Sequence, residues 1–239
     1  MSVKSPKKIK TWLIDNVGDK QAKRDLVQLS ASANWGIEQD IFDFNTFEEL
    51  DRIKPKPSHE DPDPFSERER DEIIEAFRKH QPHYYNFVRF LFFTGCRPSE
   101  AAGLKWKNVN LEENYIIFCE AIVEGKRKSE TKTGINRKFP INNQLRKIIE
   151  YQMNINNTVF YSEKQKDINM NNFTRRPWKR VFNEINIRYR STYHCRHTFI
   201  TLCLKKGIAP QDVGKWVGNS ARVIFEHYAG LSDEIVPNI

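Results

Sequence analysis

Tyr193-His194-Cys195-Arg196-His197-Thr198 is the stretch that decides the fold, read with Thr94-Gly95-Cys96-Arg97-Pro98-Ser99-Glu100 before it and Glu226-His227-Tyr228-Ala229 after it. Between the first and last of these, in chain order, lies a basic segment containing Thr131-Lys132-Thr133-Gly134. Two arginines, a lysine and a late tyrosine are the side chains that breaking a phosphodiester with a protein hydroxyl would need. Guanidinium groups grip non-bridging oxygens in bidentate fashion and hold the charge that develops there. A tyrosine can attack phosphorus, and a lysine can give a proton to the leaving oxygen.

Working outward, the patterns around these segments are mostly helical. Ser66 with Glu69 three residues on is a capping box, opening a helix through Ile73, Ile74 and Phe77. An apolar helix follows (Tyr84, Phe87, Val88, Phe90, Leu91, Phe92), with Gly95 suited to its C-terminal cap and Pro98 to the first turn of the next. Tyr115 to Phe118 is β-branched and aromatic and reads as a strand, with two further strands at 122–131 and 136–141 joined through the Lys132 turn. Beyond them, helices are expected over about 142–152, 169–187, 193–206, 209–217 and 221–229. The fold class is therefore mainly α with a small three-stranded antiparallel sheet. Before this domain, Lys54 to Pro64 carries four prolines among eleven residues and reads as an extended linker. Three parts follow: a helical region at 1–52, a linker at 53–64 and the main domain at 65–239.

Composition narrows the partner. The chain has 239 residues, 38% of them hydrophobic, and a net charge of +8. Between Lys164 and Lys206, eleven Lys and Arg stand against Asp167 and Glu184, a net of +9 that leaves the remainder near neutral. Such clustering is the footprint of a polyanion binder. A merely solvated basic face would intersperse acids. No run reaches the ~18 apolar residues of a membrane span, and no apolar segment follows the N-terminus to act as a signal peptide, so a cytoplasmic protein without a membrane partner is expected. Cys96, Cys119, Cys195 and Cys203 show no C-x-x-C spacing and read as reduced and structural. Zinc on His194, Cys195 and His197 is the alternative for those three. On a helix, however, His194 and Cys195 diverge by about 100°, so no metal is expected.

The order, spacing and flanks of these residues resemble the tyrosine recombinase (phage integrase) family from about Phe65 to Gly230. Residues 29–37 are similar to the last helix of that family's DNA-clamping region, which is expected to be shortened here. The resemblance implies the integrase catalytic-domain fold, with Arg97 and Arg196 clamping the phosphate and Glu100 as a buttress. It implies Lys132 as the turn lysine that protonates the leaving 5′-oxygen, and Tyr228 as the nucleophile. On local sequence alone, Arg97 could be a surface salt bridge to Glu100, and Tyr228 could be core packing. The basic residues Lys126, Arg127, Lys128, Arg175, Arg176, Lys179 and Arg180 are candidate DNA contacts, and Arg137 and Lys138 belong to the same basic stretch.

Two positions depart from the family pattern. The family often carries His where Tyr193 stands, which leaves that base position without an imidazole. It usually has His or Trp where Asn219 stands; an amide can donate a hydrogen bond but carries no charge. His197 is expected to pack or hydrogen-bond inside the domain. What the resemblance implies overall is a site-specific recombinase that forms a 3′-phosphotyrosine without metal, ATP or other cofactor. It would act on double-stranded DNA as a homo-tetramer across two sites, with accessory DNA-bending factors possible. The alternatives are a catalytically weakened or inactive DNA-binding relative, a topoisomerase-like relaxer using the same chemistry and, more distantly, a metal-dependent nuclease. DNA target and direction of exchange are not written in the sequence.

Overall fold

The structure is a computed structural model that describes residues 5–48, 50, 53, 62–128, 136–152 and 156–228. The chain divides into two compact units, Met1–Glu60 and Asp61–Ile239. In the first, α1 (Pro6–Val17) and α2 (Asp19–Glu38) are joined at Gly18. They close on a small core of Leu13, Ala22 and Ile53, with Ile9, Ile14, Leu26 and Leu29 packed around it. Asn45 fastens the following turn to α2 by donating to the Ser30 carbonyl and to Asn34 Oδ1.

The second unit opens with α3 (Glu67–His80), and the capping box is present in full. Glu69 N–H donates to Ser66 Oγ, and Ser66 N–H donates to Glu69 Oε2. Its apolar stripe of Ile73, Ile74 and Phe77 is buried, as is nearly all of α4 (Tyr85–Thr94). Gly95 ends α4 in the left-handed region at φ 58°, and a Cβ there would stand 2.4 Å from the Phe199 ring. Glycine is thus required both by conformation and by space. Pro98 then starts α5 (Pro98–Gly103).

The β structure differs from expectation in which strands pair. β1 (Val109–Asn110), β2 (Tyr115–Phe118) and β5 (Arg137–Pro140) form the three-stranded antiparallel sheet, with Ile116 opposite Phe139 and Phe118 opposite Arg137. β3 (Ala121–Val123) and β4 (Lys126–Lys128) make a separate two-stranded ribbon. The expected strand at 122–131 is split because Glu124 and Gly125 both take positive φ and turn the chain back. The sequence carries no strong hairpin dipeptide there; a Glu in the left-handed region is what the pattern could not announce.

Asn142 caps α6 (Asn143–Glu150) by accepting from the Leu145 amide. The helix expected over 169–187 is broken into α7 (Met170–Phe173), a π turn at Thr174–Trp178 and α8 (Lys179–Phe182). Pro177 explains the interruption, since it lacks an amide hydrogen and its ring crowds the preceding turn. Then come α9 (His194–Lys205), α10 (Pro210–Val217) and α11 (Ala221–Tyr228). The main core gathers Phe65 from just before α3 with Phe77, Phe87, Phe90, Phe118 and Trp178 from α3, α4, β2 and the π turn. Fully burying each such ring contributes about 1.5–3 kcal/mol. A smaller core of Ile200, Val213, Val217, Ile224 and Tyr228 binds α9, α10 and α11 together. Among the described residues, no helix is long and apolar enough to cross a membrane.

Candidate active site

Arg97 and Arg196 come from segments far apart in the chain and both reach carbonyls at the end of α10, those of Gly218 and Val217, while Tyr228 at the end of α11 lies within electrostatic reach of Arg196. Arg196, on the first turn of α9, is only 1% exposed. Its Nη1 donates to the carbonyls of Gly95 at 3.0 Å and Val217 at 2.5 Å, one at the end of α4 and one at the end of α10. The other terminal nitrogen, Nη2, is buried without a protein partner. Burial lowers the arginine's proton affinity, with Arg97 and Arg137 pushing the same way and Tyr193 and Glu100 opposing. A buried guanidinium nitrogen without an acceptor is costly, and an anionic oxygen would relieve that cost.

Arg97 precedes α5 and does pair with Glu100, Nη1 to Oε1 at 2.9 Å, yet the pair leaves it a second contact. Its Nη2 donates to the Gly218 carbonyl at 3.3 Å, next to Asn219. Glu100 is 1% exposed and holds more than Arg97. It also accepts both terminal nitrogens of Arg137, whose Nε donates to the Trp216 carbonyl at 2.9 Å. Burial would raise the Glu100 pKa, but hydrogen bonds and charge from Arg137, then Arg97, hold it below the ordinary value. Arg137 is therefore a buried strut between α5 and α10, not one more exposed cation of the basic stretch.

Asn219 lies in the turn after α10. Its amide donates to the Gly214 carbonyl, and its own carbonyl lies so near Gly214 that a Cβ there would stand 2.7 Å away. Gly218, Asn219 and the Arg97 side chain are thus fixed by one tight turn.

Tyr228 is the last residue of α11 and is 3% exposed. Its hydroxyl lies 2.5 Å from His197 Nδ1, and the two rings are 5.8 Å apart. Burial pushes the phenol pKa well up, and the charge on Arg196 pulls it partly back. Burial also pushes His197 down to about 4, helped by His194, Arg196 and His227. Tyr193 stands exposed at the N-cap of α9 with its ring 5.3 Å from that of His197. His194 turns away to the preceding loop, its Nδ1 3.1 Å from Ser191 Oγ. Sequence reasoning missed that the imidazole beside Tyr228 is His197. The available signal was spacing: Tyr193 and His197 are four apart on one helix and share a face.

Lys132 lies outside the described residues. Of the candidate DNA contacts, Lys126 and Lys128 are exposed on the ribbon, and Arg175, Arg176, Lys179 and Arg180 are exposed along the π turn and α8. Trp178 anchors that face from beneath, with its Nε1 donating to the Arg190 carbonyl. Arg127 is half-buried and committed to Glu120, Asp167 and the Gly103 carbonyl. Within the basic segment, Arg188 pairs with Asp63, while Arg190 pairs with Asp63 and Glu69. Acids from residues 63–69 thus offset part of the +9 that the local sequence carries.

Comparison with known proteins bears on the family and the fold. The sequence model described as "Phage integrase family" matches residues 65–234. Protein IntQ of Escherichia coli (strain K12), described as defective, is 22% identical over 240 residues, covering 87% of this chain and 59% of IntQ. The chain spans 47–59% of the length of the curated relatives it matches. Among solved structures, the Tn1549 transposon integrase in complex with a circular intermediate DNA superposes with a TM-score of 0.71 at 19% identity, covering 95% of this chain and 81% of that one. A lambda integrase tetramer bound to a Holliday junction gives 0.68 at 15% identity, covering 100% of this chain and 68% of that one. The shared feature at these identities is the fold.

Proposed function

The chain belongs to the phage integrase family, and on that premise we propose that it breaks and rejoins DNA strands through a 3′-phosphotyrosine on Tyr228. The observation that carries the reading is the convergence of Arg97 and Arg196, through carbonyls of the α4 and α10 ends, beside the buried hydroxyl of Tyr228. The scissile phosphate takes the unpartnered Nη2 of Arg196 and the rim guanidinium of Arg97, which hold its developing charge. Asn219 donates from the turn beside Arg97. Lys132 gives the leaving 5′-oxygen its proton. Attack by the 5′-hydroxyl of another strand on the phosphotyrosine then releases Tyr228 and restores a phosphodiester. The bond energy stays in the covalent intermediate, so the exchange draws on neither ATP nor a metal.

Double-stranded DNA is the substrate, met by Lys126, Lys128 and the row Arg175, Arg176, Lys179 and Arg180, with Arg127 bracing the ribbon. Exchange uses two DNA sites and four copies of the chain, a reading supported by the tetrameric lambda relative. It takes place in the cytoplasm.

The test is covalent trapping. Protein is incubated with nicked duplex DNA in EDTA, stopped with SDS, and run beside Tyr228→Phe. A DNA-linked band that the substitution removes is the expected result. No band from the parent protein, with salt-sensitive DNA binding retained, overturns the reading in favour of a binding-only relative, which Tyr193, Asn219 and the description of IntQ as defective keep in view. Relaxation of supercoiled DNA without exchange between two sites would mark the topoisomerase-like alternative, and cleavage lost in EDTA the nuclease.

A further inference from the structure

We propose that His197 is the proton acceptor for the Tyr228 hydroxyl, supplying from the next face-sharing position of α9 the imidazole that Tyr193 does not provide. The proposal rests on the recombinase reading above. Its geometric ground is the 2.5 Å separation between His197 Nδ1 and the Tyr228 oxygen, the atom that attacks. The pair is enclosed: His197 is half-buried, and Tyr228 is packed against Ile200, Val213, Val217 and Ile224. The neutral imidazole has one acceptor nitrogen and one donor. With Nδ1 receiving the phenol hydrogen, Nε2 carries the ring proton.

The step balances simply. As the Tyr228 oxygen forms its bond to phosphorus, the phenol proton passes to Nδ1 and His197 becomes imidazolium. The bond from phosphorus to the 5′-oxygen breaks, and that oxygen takes its proton from the general acid. When the incoming 5′-hydroxyl attacks the phosphotyrosine, its proton passes back to the general acid, and the imidazolium returns its own proton to the departing phenolate. Nothing is oxidised or reduced, and no outside reactant is needed.

The groups facing His197 make it a conditional base. Tyr193, His194 and Arg196 surround it on α9, His227 and Tyr228 on α11, and Asp63 acts on it from before α3. Burial and the cationic neighbours disfavour the imidazolium in the free protein, with only Asp63 opposing. A DNA phosphate arriving between the arginines brings negative charge, which favours the protonated ring. His197 is therefore disarmed until substrate is in place, and Tyr228 stays a neutral phenol until then.

The test uses the full chain and a nicked duplex, measuring the rate of adduct formation by His197→Gln and His197→Asn, with DNA binding and circular dichroism as controls for folding. Each amide can still hydrogen-bond the phenol but cannot take its proton. Both should form adduct about 10²–10⁴-fold more slowly, the range of general-base contributions, with DNA affinity unchanged. A fluorinated tyrosine at 228, whose phenol is more acidic, should recover part of that loss in His197→Gln and change the parent rate little. Parent-like or faster adduct formation by the amide variants overturns the proposal, as does failure of the fluorinated phenol to recover the rate. ¹⁵N NMR of the imidazole in the free protein is independent of activity: an unprotonated Nδ1 and protonated Nε2 support the pair, and a protonated Nδ1 overturns it. If the tautomer is as stated but the parent protein forms no adduct, the recombinase reading has failed, and the catalytic role of His197 fails with it.

Discussion

Arg137 places both terminal nitrogens on Glu100, and through that one carboxylate it is tied to Arg97, which donates to the same Oε1 at 2.9 Å. A rim cation of the candidate site is thus set by a buried strut on a different element, β5. Replacing Glu100 with Gln would leave two guanidiniums short of a counter-charge, Arg137 in a nearly buried position. Breaking a buried pair from one side costs about 3–5 kcal/mol. Urea unfolding should show a loss of this size, and Arg137→Met with Glu100→Gln should recover much of it.

Arg196 is held by two carbonyls through a single nitrogen, an arrangement that a lysine cannot copy while also reaching a phosphate. Arg196→Lys should lower the adduct rate by about 10²–10³, the scale seen when one donor to developing negative charge is removed. DNA affinity by fluorescence anisotropy should change little, because the exposed lysines and arginines carry it.

Asn219 sits in the turn whose Gly218 carbonyl steadies Arg97. Asn219→His restores a donor that can also be charged, and adduct formation should rise by about tenfold, equivalent to about 1.4 kcal/mol. Single-turnover cleavage of a nicked substrate reads this directly. Gly214→Ala should act in the opposite sense, since its Cβ would press on the Asn219 carbonyl. A strained insertion of this kind costs about 1–3 kcal/mol, and both unfolding midpoint and adduct rate should fall.

His197 gives stability a pH signature. Its folded pKa is held down to about 4, below the ~6.5 of an unperturbed histidine. Between those values the unfolded chain binds the proton that the folded one refuses, so stability rises with pH across the window and is lost as pH falls through it. His194 is lowered too and adds in the same direction. The urea midpoint should drop between pH 7 and pH 5, and His197→Gln should flatten that slope.

Much of the fold was legible because it is written in local chemistry. The Ser66–Glu69 box, the Gly95 cap, the Pro98 start and the Tyr115–Phe118 strand each depend on a few neighbouring residues, and each stands where the pattern put it. Strand pairing beyond β2 was not legible, because a turn through Glu124 in the left-handed region breaks no composition rule. The site was legible as a set of residue types and spacings. Its partners were not: that Arg137 is a strut, that Arg190 answers Asp63 and Glu69, and that His197 meets Tyr228 are contacts made across the fold.

Three of the bonds that build the site span most of the domain: Arg196 to Gly95 across 101 residues, Arg97 to Gly218 across 121, and the Phe65 amide to Thr198 Oγ1 across 133. A ribosome adds about 5–20 residues per second, so Arg97 exists for several seconds before the Gly218 carbonyl that steadies it has been made, whereas Arg196 is made after its Gly95 partner and waits only for Val217. A nascent chain that has passed Arg196 but not α10 has no Val217 or Gly218 carbonyl for its arginines, and no Tyr228. The seats of Arg97 and Arg196 are therefore completed together, by the turn that closes α10.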